Sequence, residues 1–266
     1  RGIAAGTLSV EVLTEGVHSG DASGVVPSSF RIARRLLDRI EDSMSGRILP
    51  AAFHAPIPDE RVAQARVASG ILGETMVKRF PWSGRTRPMV DGNAEVVLNR
   101  TWRPALSITG ADGLPPIANA GNVLRPATKL KLSLRIPPTL DGEQATAELK
   151  ALLEADPPHG ATVRFEPDQG ATGWNAPATA TWLADAIDAS SRTFYGQPSG
   201  ALGEGGTIPF MGMLGKQFPE AQFLITGVLG PKSNAHGPNE FLHVPYAKRL
   251  TACVAQVIVA HAQRVT

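Results

Sequence analysis

Only one cysteine, Cys253, stands among the 266 residues, which excludes an intrachain disulfide and a thiolate metal cluster. A reducing compartment and a cytoplasmic location are the corresponding expectation. Charge of one sign is also scarce in excess: 26 Lys and Arg against 24 Asp and Glu leave +2. No basic stripe runs through the chain, so nucleic acid is not an expected partner. Long apolar runs are missing too. The most apolar tract, LTACVAQVIVAHAQ at 250–263, is broken by Gln256 and His261 and is too short to span a bilayer. No signal peptide is recognisable. The chain opens on Arg1 and reads as strand within a few residues, the start expected of a fragment or a processed chain.

What is present is a substantial core, 42% of residues being hydrophobic. Residues 7–13 (TLSVEVL) alternate, with Leu8, Val10 and Val12 on one face, as in a half-buried strand. A loop, TEGVHSGDASGVVPSS at 14–29, carries His18 among Gly16, Gly20 and Gly24. Pro27 and Ser28 then open a helix to about 42, with Phe30, Ala33, Leu36, Leu37 and Ile40 as its stripe. Residues 47–92, rich in Pro, Gly and Arg, read as an insertion with a helix over 59–79. Strands are expected at 93–98 (NAEVVL), 105–109 (ALSIT) and 128–136 (TKLKLSLRI). In the last, Leu130, Leu132, Leu134 and Ile136 alternate with Lys129, Lys131, Ser133 and Arg135. Asp141 and Gln144 have capping-box spacing before a helix to about 155, and a strand follows at 161–167. This order predicts an α+β domain, an antiparallel sheet with helices on one face.

The texture changes after about 170. A helix at 178–195, a glycine-rich turn (ALGEGGTIPF, 201–210) leading into a helix at 207–217, a strand at 222–226 (QFLIT) and a helix ending near 263 suggest an incomplete α/β layer. Two domains are expected: 1–170, with its insertion, and 171–266.

Taken singly, the chemical residues have plain readings. His236, in SNAHGPNEF, is a loop histidine. Thr207 is a helix cap and its glycines a tight turn, or the turn offers backbone N–H groups to an anion. Arg135 is a surface arginine or a bidentate anion ligand. Asn122, in AGNVLRP, is a turn asparagine.

In order and company, GVHSGDASG, AGNVLRP with LSLRIPP, GEGGTIP and AHGPNEF resemble the M20 family of zinc metallopeptidases and amidohydrolases, in its carnosinase-like branch. The resemblance spans essentially the whole chain. It implies a lid and dimerisation domain followed by the closing segment of a zinc-dependent catalytic domain. It also implies roles: His18 as an oxyanion donor reaching into a partner subunit's site, assisted by Asn122; Arg135 as the anchor of a substrate carboxylate; Glu204, Gly205, Gly206 and Thr207 as substrate-site lining; His236 as a metal ligand. The implied partners are a second copy of the chain, the metal-bearing N-terminal part, and a dipeptide or N-acyl amino acid as substrate. The family's His-x-Asp segment and Glu-Glu pair are absent from these residues. One histidine does not hold zinc, so this polypeptide is expected to be inactive alone. The alternative is a non-catalytic dimerisation or binding module that keeps the lid fold. A phosphate-binding role for the 203–207 turn leaves His18 and His236 unexplained.

Overall fold

The computed structural model describes residues 1–230, 232–235 and 237–264. In chain order the elements are β1 (Gly2–Glu11), β2 (Val17–His18), α1 (Ser19–Ala22), α2 (Ser29–Leu37), α3 (Asp59–Leu72), α4 (Thr75–Lys78), α5 (Asn93–Thr101), β3 (Ala105–Asp112), β4 (Val123–Leu124), β5 (Ala127–Ile136), α6 (Gly142–Glu154), β6 (Thr162–Pro167), α7 (Thr181–Tyr195), α8 (Pro209–Gln217) and α9 (Val244–Ala262). Four strands form one antiparallel sheet in the order β3-β5-β1-β6. That is the order of a split β-α-β arrangement, with α2 and α6 as the crossovers.

The sheet follows from strict alternation. Along β5, Thr128, Leu130, Leu132, Leu134 and Ile136 are buried, while the residues between them stay partly or fully exposed. They join Ala4, Leu8 and Val10 of β1 and Phe165 of β6 on the face that α2 and α6 cover. Helix α6 contributes Ala145, Leu149 and Leu153, and its capping Asp141 carboxylate accepts the Gln144 N–H at 2.8 Å. Glu154, at its last turn, accepts the Phe165 N–H at 2.7 Å and so pins β6 to the helix.

Helix α2 keeps Ala33, Leu36 and, just past its end, Ile40 of the predicted stripe in the core, with Leu37 packed against it, and departs from the prediction at Phe30. Ile32, Ala33 and Leu36 face the core, whereas Phe30 is 42% exposed. The cause is Ser29, whose hydroxyl meets that of Thr128 at 2.9 Å in a buried pair. With Ser29 turned inward, positions i+3, i+4 and i+7 follow it, and Phe30 lies about 100° off that line.

The insertion and the segment just after it depart further. The predicted strand at 93–98 is helix α5, whose Val97 and Leu98 pack with Ala65 of α3 and Met76 of α4 in a small core of their own. A short apolar run does not by itself separate strand from helix, and here the neighbouring helices decide it. The predicted single helix over 59–79 is two, α3 and α4, broken at Gly73, which caps α3 with φ 52°.

In 171–264, α7 and α9 pack through Leu183, Ala186 and Val257. The predicted strand at 222–226 has no strand partner among the described residues, and no regular structure forms there. Gln222 instead accepts the Ala180 N–H at 2.7 Å, and Phe223 stacks edge-on against Trp174.

Candidate functional site: two separated clusters

The first cluster is the corner that follows β1. Strand β2 pairs with β4, setting His18 opposite Val123, and the Ser19 N–H donates to the Asn122 carbonyl at 2.9 Å. The two predicted residues, 104 positions apart, are thereby joined through backbone, both on the surface. The anchor of the corner is the same Ser29–Thr128 pair, since Ser29 follows the His18 loop and Thr128 follows Asn122.

The His18 ring is 64% exposed, and its Nδ1 accepts the Gly20 N–H at 3.2 Å. The Asp21 carboxylate is 3.9 Å from the same nitrogen. These contacts compete: the first needs a lone pair on Nδ1, the second a proton there. The amide contact is the shorter, and Asp21 is almost fully solvated, so the amide sets the tautomer. In the neutral ring the proton is therefore on Nε2, a donor without a partner among the described residues.

The second cluster gathers Arg135 with the turn at 204–207. Arg135 Nη1 donates to Thr207 Oγ1 at 3.1 Å, and Thr207 donates in turn to the Arg1 carbonyl at 2.9 Å. Thr207 is thus not the helix cap its position suggested; α8 begins at Pro209 without a side-chain cap. Two arginines missed in the sequence complete the group. Arg1 Nη1 donates to the carbonyls of Asn99 and Arg103, each at 3.0 Å, and its Nε to Gly205 at 3.4 Å. Arg100 pairs with Glu204 at 3.2 Å. Three guanidiniums thus gather at a turn that brings one carboxylate, Glu204, which pairs with Arg100. Burial, then the charges of Arg135 and Arg100, lower the Arg1 pKa to about 10. Such a surplus of partly desolvated positive charge favours an anion, and the forked donors of Arg135 suit a carboxylate.

The clusters lie at opposite ends of the sheet. Asn122 sits before the start of β5 and Arg135 near its end. The eight residue-to-residue steps from 127 to 135 span about 26 Å at ~3.3 Å each. The structure brings His18 to Asn122, and Arg135 to Glu204, Gly205, Gly206 and Thr207, but does not bring the two groups together within one chain. His236 lies outside the described residues. Among the described residues, no three His, Cys, Asp or Glu side chains gather to hold a metal, so these donors do not fit a zinc centre. No helix among them is long and apolar enough to cross a membrane. An open cleft of about 670 Å³ between α7, α9 and residues 220–224 is lined mainly by apolar side chains, among them Trp182, Leu224 and Ile258, and none of the candidate residues reaches it.

The chain is 27% identical to a cysteinylglycine-S-conjugate dipeptidase of Corynebacterium striatum, over 93% of this chain and 54% of that protein. Among solved structures it resembles the di-peptidase Dug1p of Saccharomyces cerevisiae (TM-score 0.74, 20% identity, 100% of this chain and 55% of that one). It also resembles human carnosine dipeptidase 1 (TM-score 0.70, 19% identity, 99% and 55%), and at these identities the structural likeness is one of fold. The chain spans about half the length of the curated relative it matches. Residues 1–161, more than half of the chain, match the model of the M20 peptidase dimerisation domain, and the chain belongs to that family.

Proposed function

We propose that this chain is the lid and dimerisation part, residues 1–170, and the closing catalytic-domain segment, residues 171–266, of an M20-type hydrolase acting on dipeptides or N-acyl amino acids. The observation that carries the reading is the separation of an exposed histidine donor from an arginine-rich anion site by the length of the sheet. Two half-sites that cannot meet within one chain complete each other across a two-fold axis, where each contributes once to either site. The exposed edge strand β3, eight residues long, offers a surface for such pairing.

The division of labour follows from the residues. Arg135, steadied by Thr207, binds the substrate's free carboxylate and so fixes the scissile bond in place. His18 of the other subunit offers Nε2–H to the carbonyl oxygen as it gains charge, a donor whose direction is set in advance by the Gly20 amide. Asn122 holds the His18 corner through its own carbonyl. Glu204, Gly205 and Gly206 line the site beside Arg135.

M20 peptidases depend on a metal, generally zinc. The described residues do not assemble a metal site, so no step is assigned to zinc here. The general base and most ligands belong to a further portion, with His236 as the contribution of this chain. Support for such a portion comes from the half-length match and from the apolar surface left on 202–259. There Ile208, Phe210, Met213, Ile225 and Val259 are each more than half exposed. The same missing ligands support the second reading, a dimerisation module without catalysis.

Zinc content and turnover of a dipeptide panel, measured on the purified chain, test the proposal. The expected result is substoichiometric zinc and no hydrolysis by the chain alone, with hydrolysis on joining it to a metal-bearing portion. Tightly held stoichiometric zinc, or turnover by the chain alone, overturns the claim of incompleteness. No hydrolysis after joining favours the module.

A further inference from the structure

We propose that helix α5, packed on the insertion, positions the anion site, and that Arg100 is its positioning residue. The inference rests on reading Arg135 as a carboxylate anchor. Its route can be followed contact by contact. The end of α5 lies flush against the turn: a Cβ on Gly203 would come within 3.1 Å of the Thr101 side chain, and one on Gly205 within 2.7 Å of the Arg100 carbonyl oxygen. Arg100 reaches over the turn to Glu204 at 3.2 Å. The carbonyls of Asn99 and Arg103, left open where the helix ends, are taken by the Arg1 guanidinium, whose Nε reaches the Gly205 carbonyl. The turn delivers Thr207, and Thr207 receives Arg135 Nη1.

The helix itself is held from behind. Val97 and Leu98 seat it on α3 and α4, and Arg103 folds back onto it through Glu95 at 2.6 Å and Asn99 Oδ1 at 2.7 Å. Helix α3 also reaches the C-terminal segment, Arg61 donating to Asn175 at 3.0 Å and to the Ala176 carbonyl at 2.5 Å. The insertion is therefore a buttress standing between the sheet domain and the turn. Arg100 is not itself placed against substrate; its contact is Glu204, which lines the site. It acts through Glu204 and the turn on the aim of Arg135.

Two readouts on the folded chain test this separately. The Nε–Hε resonance of Arg135, in 15N-labelled protein without ligand, reports its hydrogen bond to Thr207. Titration with N-acetylglycine reports carboxylate binding. Arg100→Gln is expected to move the Arg135 resonance and to weaken N-acetylglycine binding by about threefold to fivefold, since the ion pair is partly solvated. Arg100→Lys restores part of both. Gly205→Ala, which pushes the turn off the helix, has the same effect as Arg100→Gln. An unmoved Arg135 resonance in both Arg100→Gln and Gly205→Ala overturns the positioning role. Binding of N-acetylglycine that is absent, or unchanged in Arg135→Gln, overturns the carboxylate reading instead, while the resonance still decides the positioning role.

Discussion

Replacing Thr128 by valine keeps the shape of the side chain and removes the partner of the Ser29 hydroxyl. Both residues are essentially inaccessible, Ser29 at 2% and Thr128 at 0% exposure, and their oxygens are 2.9 Å apart. An unsatisfied buried hydroxyl costs about 1–3 kcal/mol, whereas removing both partners together is nearly neutral. Thr128→Val and Ser29→Ala are each expected to cost about 1–2 kcal/mol, and the double variant no more than either one alone. The coupling is therefore about 1–2 kcal/mol, well above the ~0.5 kcal/mol scatter of independent sites. Urea denaturation followed by far-UV circular dichroism reads this as a midpoint shift at unchanged slope. Because the pair ties the helix after the His18 loop to the strand after Asn122, amide exchange at Ser19 should quicken in each single variant. Costs that simply add in the double variant would refute the reasoning, and with it the account of why α2 turns Phe30 outward.

Two further outcomes follow from local packing and charge. At Gly6 an added Cβ would overlap the Phe165 ring and lie 2.6 Å from the Glu166 carbonyl oxygen, so Gly6→Ala should cost about 1–3 kcal/mol by separating β1 from β6, read in the same urea titration. Burial, then the nearby charge of Asp38, raises the Glu41 pKa in the folded state. Its ionised form therefore weakens the fold above that raised pKa, and the penalty fades as pH falls below the unfolded value. Glu41→Gln should stabilise the chain at pH 7 and leave it unchanged near pH 3. A gain of the same size at both pH values contradicts this.

The central sheet was legible because β1, β5, α2 and α6 each repeat one simple period against one core. Even there, the start of the α2 stripe was misplaced, since Phe30 outweighs Ser29 in any hydrophobic pattern and only the buried hydroxyl pair reverses them. Helix α5 was lost for a related reason: Val96 and Val97 favour a strand locally, and the helical choice comes from Ala65 and Met76, some 20 to 30 residues away. QFLIT has the composition of a strand but no strand to pair with among the described residues. At the site, His18, Asn122, Arg135 and the 204–207 turn carried signatures in residue type and order. Arg1 and Arg100 carried none, because their contacts with the turn cross more than 100 residues of sequence and arise only from the seating of the insertion. The tautomer of His18 was likewise invisible until the Gly20 amide was located.

Complementation between two inactive variants tests the central claim most directly. In the assembly proposed above, joined to a metal-bearing portion, His18→Ala and Arg135→Gln are each expected to disable every site of a homodimer. Mixed by unfolding and refolding together, half of the dimers are heterodimers, and in each of these one site receives an intact His18 and an intact Arg135. Recovery of about a quarter of the unmodified activity is therefore expected if the two residues meet across the two-fold axis. No recovery, with heterodimers shown to form by native mass spectrometry, would contradict the account and return His18 and Arg135 to a single chain.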